Sequence, residues 1–264
     1  MPFARITGTL LHHRLAGTTG APELVFVNSL GTDLRIWDEV AERLAAHYRI
    51  LCYDKRGHGL SDTPPGDYTL DDHLDDLEGL LNHVGFGRVG LVGVSIGGLI
   101  GQGFGLRAPE RLVGLVICDT APKVGDADMW NARIETVLGK GPIAIADAVM
   151  ERWFSEGFRR DRADDLAGWR NLFVRTDAAG YARTCATLRD TDLSARIGAI
   201  ATPTLVVAGS EDRSTPVALV RDCANAIPGA RFEVLAGAGH IPSIEQPDAL
   251  AVLIDAFFKE IGRG

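Results

Sequence analysis

Apolar and polar positions follow two different periods along this chain. Six short, continuous apolar runs predict buried strands, at 24–28, 49–54, 89–94, 112–118, 203–208 and 231–235. The longer segments between them have an apolar residue at every third or fourth position. The clearest of these segments, 70–84, predicts a helix with one exposed face. This alternation predicts an α/β fold with a mostly parallel, doubly wound sheet, preceded by a short N-terminal hairpin.

The segment between residues 121 and 196 departs from this alternation. It contains no strand-like run, and helical patterns such as 143–153 and 178–188 dominate it. We therefore expect a core built from residues 1–120 and 197–264, with residues 121–196, called the cap segment below, inserted as a helical cap. The cap segment carries 12 Lys and Arg residues against 12 Asp and Glu residues, so the predicted core carries the whole net charge of −8.

Composition and charge argue against several classes of function. A chain of 264 residues is long enough for one large α/β domain. The net charge of −8 leaves no basic excess for binding nucleic acid or an anionic membrane. The four cysteines are far apart, without metal-binding or disulfide spacing. No signal peptide or membrane span is evident, so we expect a cytoplasmic protein without a metal, either a monomer or a small homo-oligomer.

One stretch combines a strand, a sharp turn and a helix. The run 89–94 enters the turn Gly93-Val94-Ser95-Ile96-Gly97, and a helix-compatible segment follows. Glycines two positions before and after the serine let strand and helix approach closely while the serine occupies a strained apex. Such a turn holds the serine hydroxyl beyond the sheet and aims the Ile96 N–H at a developing negative oxygen. A glycine-rich turn with a serine N-cap is the alternative interpretation.

A nucleophilic serine needs a histidine base, and the base needs a carboxylate that fixes its tautomer. After a turn of this kind, the acid and the base are expected in the order Ser, Asp, His at the ends of later strands. Asp212 follows the strand 203–208, and His240 lies in a glycine-flanked loop after the strand 231–235. We therefore predict Ser95, Asp212 and His240 as a catalytic triad.

Two other residues compete for these roles. Asp119 also ends a strand and is the alternative carboxylate, although it is equally suited to a capping role. His58, in a glycine-rich loop, is the alternative base, but we interpret that loop as a hydrogen-bonded brace at the edge of the sheet. The loop Asn28-Ser29-Leu30-Gly31 follows an early strand. We expect its Leu30 N–H to be the second oxyanion donor, beside the Ile96 N–H. The alternative interpretation is that this loop is only a tight turn.

The loop 28–38 reads Asn-Ser-Leu-Gly-Thr-Asp-Leu-x-x-Trp-Asp. This loop is the most specific part of a similarity, covering nearly the whole chain, to one family of α/β-hydrolases, the 3-oxoadipate enol-lactonases of aromatic catabolism. Ile96 is a departure, because this family usually has Met after the serine. Further matching stretches are 11–14, 53–62, 151–154, 189–193 and 244–246.

The resemblance implies a serine hydrolase that opens a small anionic enol lactone bearing an acetate arm, without a cofactor. It also implies that Trp130 and Arg133 of the cap segment belong to the substrate pocket. We add Trp153 of the cap segment as a candidate pocket residue, and our hypothesis is that Arg133 holds the free carboxylate. Other activities are open at this point: a related carboxylesterase, a carbon–carbon bond hydrolase, or a sensor with the same fold that does not turn over its ligand.

Overall fold

The computed structural model describes residues 2–262, and its central feature is an eight-stranded sheet with the order β1-β2-β4-β3-β5-β6-β7-β8. Strand β2 pairs antiparallel with β1 and β4, whereas the neighbours from β4 to β8 are parallel. The strands are β1 (Phe3–Ile6), β2 (Thr9–Gly17), β3 (Glu23–Val27), β4 (Arg49–Tyr53), β5 (Val89–Val94), β6 (Leu112–Cys118), β7 (Thr204–Gly209) and β8 (Arg231–Leu235).

Helices connect the parallel strands, and five of them lie between β6 and β7. The helices are α1 (Asp38–Leu44), α2 (Leu70–Val84), α3 (Ile96–Arg107), α4 (Ala127–Lys140), α5 (Ala146–Trp153), α6 (Glu156–Asp161), α7 (Ala163–Val174), α8 (Ala178–Asp190), α9 (Val217–Ala226), α10 (Pro242–Glu245) and α11 (Pro247–Ile261). Residues 121–196 therefore contain α4 to α8 and no strand. The division into a core and a cap segment stays a prediction.

Successive residues of β5 show why this sheet needs helices on both faces. Side chains alternate along a strand, and all six residues of β5 are buried. On one face, Gly90 leaves room for Phe258 of α11. On the other face, Leu91 packs against Gly101 of α3. The predicted mostly parallel, doubly wound architecture is confirmed.

The predicted strands and most predicted helices agree with the structure to within a few residues. The helix expected from about residue 36 to 46 is instead a 3₁₀ turn, Leu34–Trp37, followed by α1. The pattern at 143–153 likewise divides into a 3₁₀ turn, Pro142–Ile145, and α5. Within residues 2–262, no helix has both the length and the apolar character needed to cross a membrane.

Candidate active site

Ser95 occupies a strained turn between β5 and α3. Its backbone has φ +59° and ψ −121°, a conformation that L-residues rarely adopt. A Cβ atom at Gly97 would lie 2.1 Å from the carbonyl oxygen of Val27, so only glycine allows α3 to start this close to β3. The Ser95 N–H donates to the carbonyl of Cys118 over 2.9 Å, which fixes the turn against β6. The chain thus forms the predicted strand, turn and helix.

His240 and Asp212 are buried and hydrogen-bonded to each other. The distance from Nδ1 of His240 to Oδ2 of Asp212 is 2.8 Å. The hydroxyl of Thr215 donates to the same carboxylate oxygen over 2.6 Å. Burial by itself would raise the pKa of Asp212, but His240 and the hydrogen bonds from Thr215 and Ser214 lower this pKa below its usual value. An ionised Asp212 holds the proton of His240 on Nδ1, so Nε2 is available as an acceptor.

Asp119, the alternative carboxylate, has a different set of contacts. It is fully buried at φ +49°, and its Oδ1 accepts the N–H of Gly209 over 2.7 Å. Burial and the adjacent Asp212 carboxylate raise the pKa of Asp119 well above its usual value. The raised pKa favours the protonated form of Asp119. The structure places Asp212, and not Asp119, in hydrogen-bond contact with His240.

His58, the alternative base, braces the loop that follows β3. Its Nε2 accepts the N–H of Gly31 over 2.9 Å, while Nδ1 lies 3.2 Å from the carbonyl oxygen of Arg56. This pattern requires the neutral ring with its proton on Nδ1. Burial lowers the pKa of His58 well below its usual value, which favours the same neutral form. The ring is fully engaged with backbone groups.

Two backbone N–H groups near Ser95 are without an acceptor in the part of the protein that the structure describes. Leu30 and Ile96 donate to no carbonyl or side chain among residues 2–262. Ile96 is the first residue of α3, where the helix itself provides no acceptor for the N–H group. Leu30 precedes Gly31, whose own N–H is held by His58. These two N–H groups are free to bind a negative oxygen.

A small cavity of about 210 Å³ brings most of the predicted site residues together. Predicted residues on its wall are Ser95, His240, Leu30, Trp130, Arg133 and Trp153. Asp212 lies behind His240 and does not reach the cavity wall, and neither does Ile96. Among the residues that the structure describes, no cluster of three or more His, Cys, Asp or Glu side chains is suited to a metal ion.

Comparisons with known proteins agree with this architecture. A family profile of the α/β-hydrolase fold matches residues 22–247. The chain belongs to the α/β-hydrolase family. One curated relative, 3-oxoadipate enol-lactonase 2 of Acinetobacter baylyi, is 35% identical over 94% of this chain and 93% of its own length. The predicted resemblance to that group is confirmed, and this α/β-hydrolase is an enzyme.

Two solved structures show the same likeness. The enol-lactonase from Burkholderia xenovorans has a TM-score of 0.95 and 37% identity, with 98% of this chain and 100% of that chain covered. A thermophilic esterase from Thermogutta terrifontis, solved with malate bound, has a TM-score of 0.92 and 28% identity, with 98% of each chain covered. The likeness therefore includes the cap segment.

Two arginines on the cavity wall of this hydrolase were not predicted as site residues, namely Arg152 and Arg213. With Arg133, they place three guanidinium groups at one small cavity, and none of the three forms an ion pair within residues 2–262. Burial and the positive charge of Arg133 lower the pKa of Arg152, so the two arginines are electrostatically close. Each of these two arginines is next in sequence to a predicted site residue: Arg152 precedes Trp153, and Arg213 follows Asp212.

The cap segment is joined to the loop of His240 by direct hydrogen bonds. The His240 N–H donates to the carbonyl of Trp153 over 2.8 Å. Glu245 accepts the Gly239 N–H over 2.8 Å and the Ser155 hydroxyl over 2.6 Å. The sequence predicted neither contact, because the residues are distant along the chain. These bonds fix the end of α5 against the loop that carries the histidine.

Proposed function

We propose that this hydrolase opens 3-oxoadipate enol-lactone to 3-oxoadipate through an acyl-enzyme on Ser95. The observation that carries the proposal is the small cavity, which is lined by a serine, a histidine and three arginines that form no ion pair within residues 2–262. Its volume of about 210 Å³ is below the roughly 300–1,000 Å³ of sites for drug-sized ligands. A compact, anionic ester fits both the size and the charge of this cavity.

In the first step, the Ser95 hydroxyl attacks the ring carbonyl of the lactone. Nε2 of His240 accepts the hydroxyl proton, and Asp212 stabilises the resulting imidazolium through Nδ1. The backbone N–H groups of Leu30 and Ile96 bind the oxyanion of the tetrahedral intermediate. Collapse of this intermediate breaks the ring C–O bond and leaves an enolate as the leaving group.

The leaving group stays attached to the acyl-enzyme, because both belong to one opened ring. The enolate takes up a proton at carbon and becomes a ketone, which prevents the ring from closing again. Water then attacks the acyl-enzyme with His240 as the base, and 3-oxoadipate is released with the Ser95 hydroxyl restored. His240 and water can carry out every proton transfer in these steps, so the proposed reaction needs no cofactor.

The arginines account for recognition of the charged substrate. The lactone has a carboxylate on its acetate arm, and an arginine binds a carboxylate strongly and with defined geometry. Arg133 lies against the ring of Trp130, with its guanidinium carbon 5.3 Å from the ring centroid, so the pair forms one wall of the pocket. We assign the carboxylate of the substrate to Arg133. Arg152 and Trp153 lie nearby and complete the wall.

The similarity to a thermophilic esterase favours a second candidate, a carboxylesterase that acts on short-chain esters. Both activities use the same nucleophile, base and oxyanion donors, so the protein machinery alone does not separate them. The charge of the acyl portion does separate them, because a neutral ester leaves the three arginines without a partner. The distinction is therefore a matter of substrate preference.

The experiment that tests the proposal compares substrates on the purified wild-type protein. Enzymatically generated enol lactone, a short-chain neutral ester and a ring-cleavage dienoate are assayed side by side for kcat and KM. The proposal expects the lactone to have the highest kcat/KM, with many turnovers per protein. Preference for the ester indicates a carboxylesterase, and preference for the dienoate indicates a carbon–carbon bond hydrolase. Binding without turnover of any substrate indicates a sensor.

A further inference from the structure

Lys55 is a buried cation that the catalytic proposal does not use. It lies two residues after the end of β4, directly after Asp54, and the residue is 1% exposed. A lysine is rarely buried to this degree, because removing an ammonium group from water is costly unless the charge has a specific partner. In the described part of the chain, the hydrogen-bond acceptor for Lys55 is the carbonyl oxygen of Ser29, 2.5 Å from Nζ.

The carbonyl that accepts this hydrogen bond lies next to the oxyanion donor expected at Leu30. The carbonyl of Ser29 and the N–H of Leu30 belong to the same peptide group, and electron density is shared across a peptide group by resonance. When a cation binds the carbonyl oxygen, electrons move towards that oxygen and the N–H hydrogen becomes more positive. A more positive N–H is a stronger donor to an oxyanion. Lys55 therefore acts on the same peptide group that carries one of the two free donors.

The surrounding contacts hold this peptide group in place from several directions. The Ser29 carbonyl also accepts the hydroxyl of Thr32 over 2.9 Å. The next N–H along the chain, that of Gly31, is bound by His58 over 2.9 Å. The loop is thus oriented by neutral hydrogen bonds, and Lys55 in its protonated form adds a positive charge at one atom.

We propose that Lys55 is a positioning and polarising residue for the oxyanion site, which strengthens the Leu30 N–H through the Ser29 carbonyl. This inference rests on the proposed function, since it assumes that the Leu30 N–H binds the oxyanion. It does not depend on which ester is the substrate. The same oxyanion forms during hydrolysis of the enol lactone and of a short-chain neutral ester.

The charge state of Lys55 gives the proposal a pH signature. Burial lowers the pKa of Lys55 to about 7, against the opposing effect of Asp54 and Asp33. Two histidines also face it, and burial lowers the pKa of both, to about 3 for His73 and well below the usual value for His58. Neither histidine titrates near pH 7. Lys55 is charged below its own pKa and neutral above it, so its contribution declines as the pH rises.

Lys55→Met tests the proposal, because methionine keeps the length and removes both charge and donor. Thr32→Val is the matched comparison, since it removes a neutral hydrogen bond to the same carbonyl. We expect Lys55→Met to lower kcat about tenfold with little change in KM, as part of the roughly 100- to 1,000-fold that an oxyanion donor contributes. Thr32→Val should have a clearly smaller effect. Thermal melting checks that each variant is folded.

Two further readouts separate polarisation from a structural role. A trifluoromethyl ketone forms a tetrahedral oxyanion with the serine, so its affinity should fall in Lys55→Met by the same factor as kcat/KM. In the wild type, kcat/KM should decline as the pH rises through about 7, and Lys55→Met should lose this decline. Equal losses in the two variants, unchanged ketone affinity, or a decline that persists in Lys55→Met would overturn the proposal.

The design also holds if Lys55→Met does not fold. Lys55→Gln, which keeps a neutral donor near the Ser29 carbonyl and removes the charge, then replaces it, and unchanged kcat and ketone affinity in that variant contradict the proposal. All measurements are made on both the neutral ester and the enol lactone, with Ser95→Ala in parallel. Activity on the ester alone disproves the enol-lactone assignment but still tests Lys55. Activity retained in Ser95→Ala disproves the catalytic scheme itself.

Discussion

At the scale of single residues, the cavity concentrates positive charge in a protein whose net charge is −8. Arg133, Arg152 and Arg213 line it without ion-pair partners among residues 2–262. Arg133 and Arg152 are half-buried and Arg213 is exposed. Arginines without an acidic partner beside a nucleophile are suited to binding an oppositely charged ligand. A net negative protein with a positive cavity is suited to a small anion that enters a defined pocket.

Arg133→Ala should weaken binding of the anionic lactone far more than binding of its neutral methyl ester. A hydrogen bond to a charged group contributes about 1.5–3 kcal/mol, so KM for the lactone should rise roughly 10- to 100-fold. Hydrolysis of the methyl ester should change little. Steady-state kinetics on the two substrates give the comparison, and Arg170→Ala, which removes an arginine paired with Asp147 elsewhere in the cap segment, is the control. Equal losses on both substrates would refute the assignment.

The two buried carboxyl groups can be distinguished by amide substitution. Burial and the Asp212 carboxylate raise the pKa of Asp119, which favours its protonated form, and Asp119→Asn keeps an acceptor for the Gly209 N–H. We expect near wild-type kcat for Asp119→Asn. Asp212→Asn removes the carboxylate bound to Nδ1 of His240 and should lower kcat by about 10⁴-fold, as expected for the acid of a triad. The kcat values of the two variants are compared at the same pH, and the opposite order would make Asp119 the catalytic acid.

At the scale of elements, the strands were the most predictable part of the chain. A strand covered on both faces reads as a continuous apolar run, and β5 and β6 were predicted with their observed bounds. Helix α2 was equally clear because its exposed face breaks the apolar pattern at every turn. The 3₁₀ turns that precede α1 and α5 were missed, since a tightened first turn has no distinct periodicity over so few residues.

Glu245 joins two elements that the sequence places far apart, the end of α5 and the loop of His240. It accepts hydrogen bonds from Gly239 and from Ser155. Glu245→Ala should lower the free energy of unfolding by about 1.5–3 kcal/mol, because hydrogen bonds to a charged group are lost. It should also lower kcat, since the loop that carries His240 loses its support. Ser155→Ala removes one of these bonds and should show a smaller loss in both quantities.

Denaturant unfolding and steady-state kinetics measure the two effects of Glu245→Ala. The account requires that stability and kcat fall together. A variant with lower stability but full kcat would show that the histidine loop holds its position without the cap segment. A full loss of kcat at unchanged stability would give Glu245 a direct part in the reaction, which the described contacts do not support.

At the scale of the whole molecule, the sequence predicted the order of the functional groups better than their surroundings. Ser95 and His240 follow particular strands, and the carboxyl ends of parallel strands meet at one edge of the sheet, so their convergence follows from topology. The environment of Lys55 and Arg152 depends on side chains from distant segments. No local sequence pattern indicates such contacts, which is why neither residue was predicted to contribute to the site. The catalytic roles of the triad stay a prediction until they are measured.

The most direct test of the central claim is the rate at which purified protein opens enol lactone, in the wild type and in Ser95→Ala, with folding verified for both. The account predicts multiple turnovers in the wild type and a loss on the order of 10⁵-fold or more in kcat for Ser95→Ala, as for removal of a serine nucleophile. Comparable rates in the two proteins, or no opening of the lactone by the wild type, would contradict it.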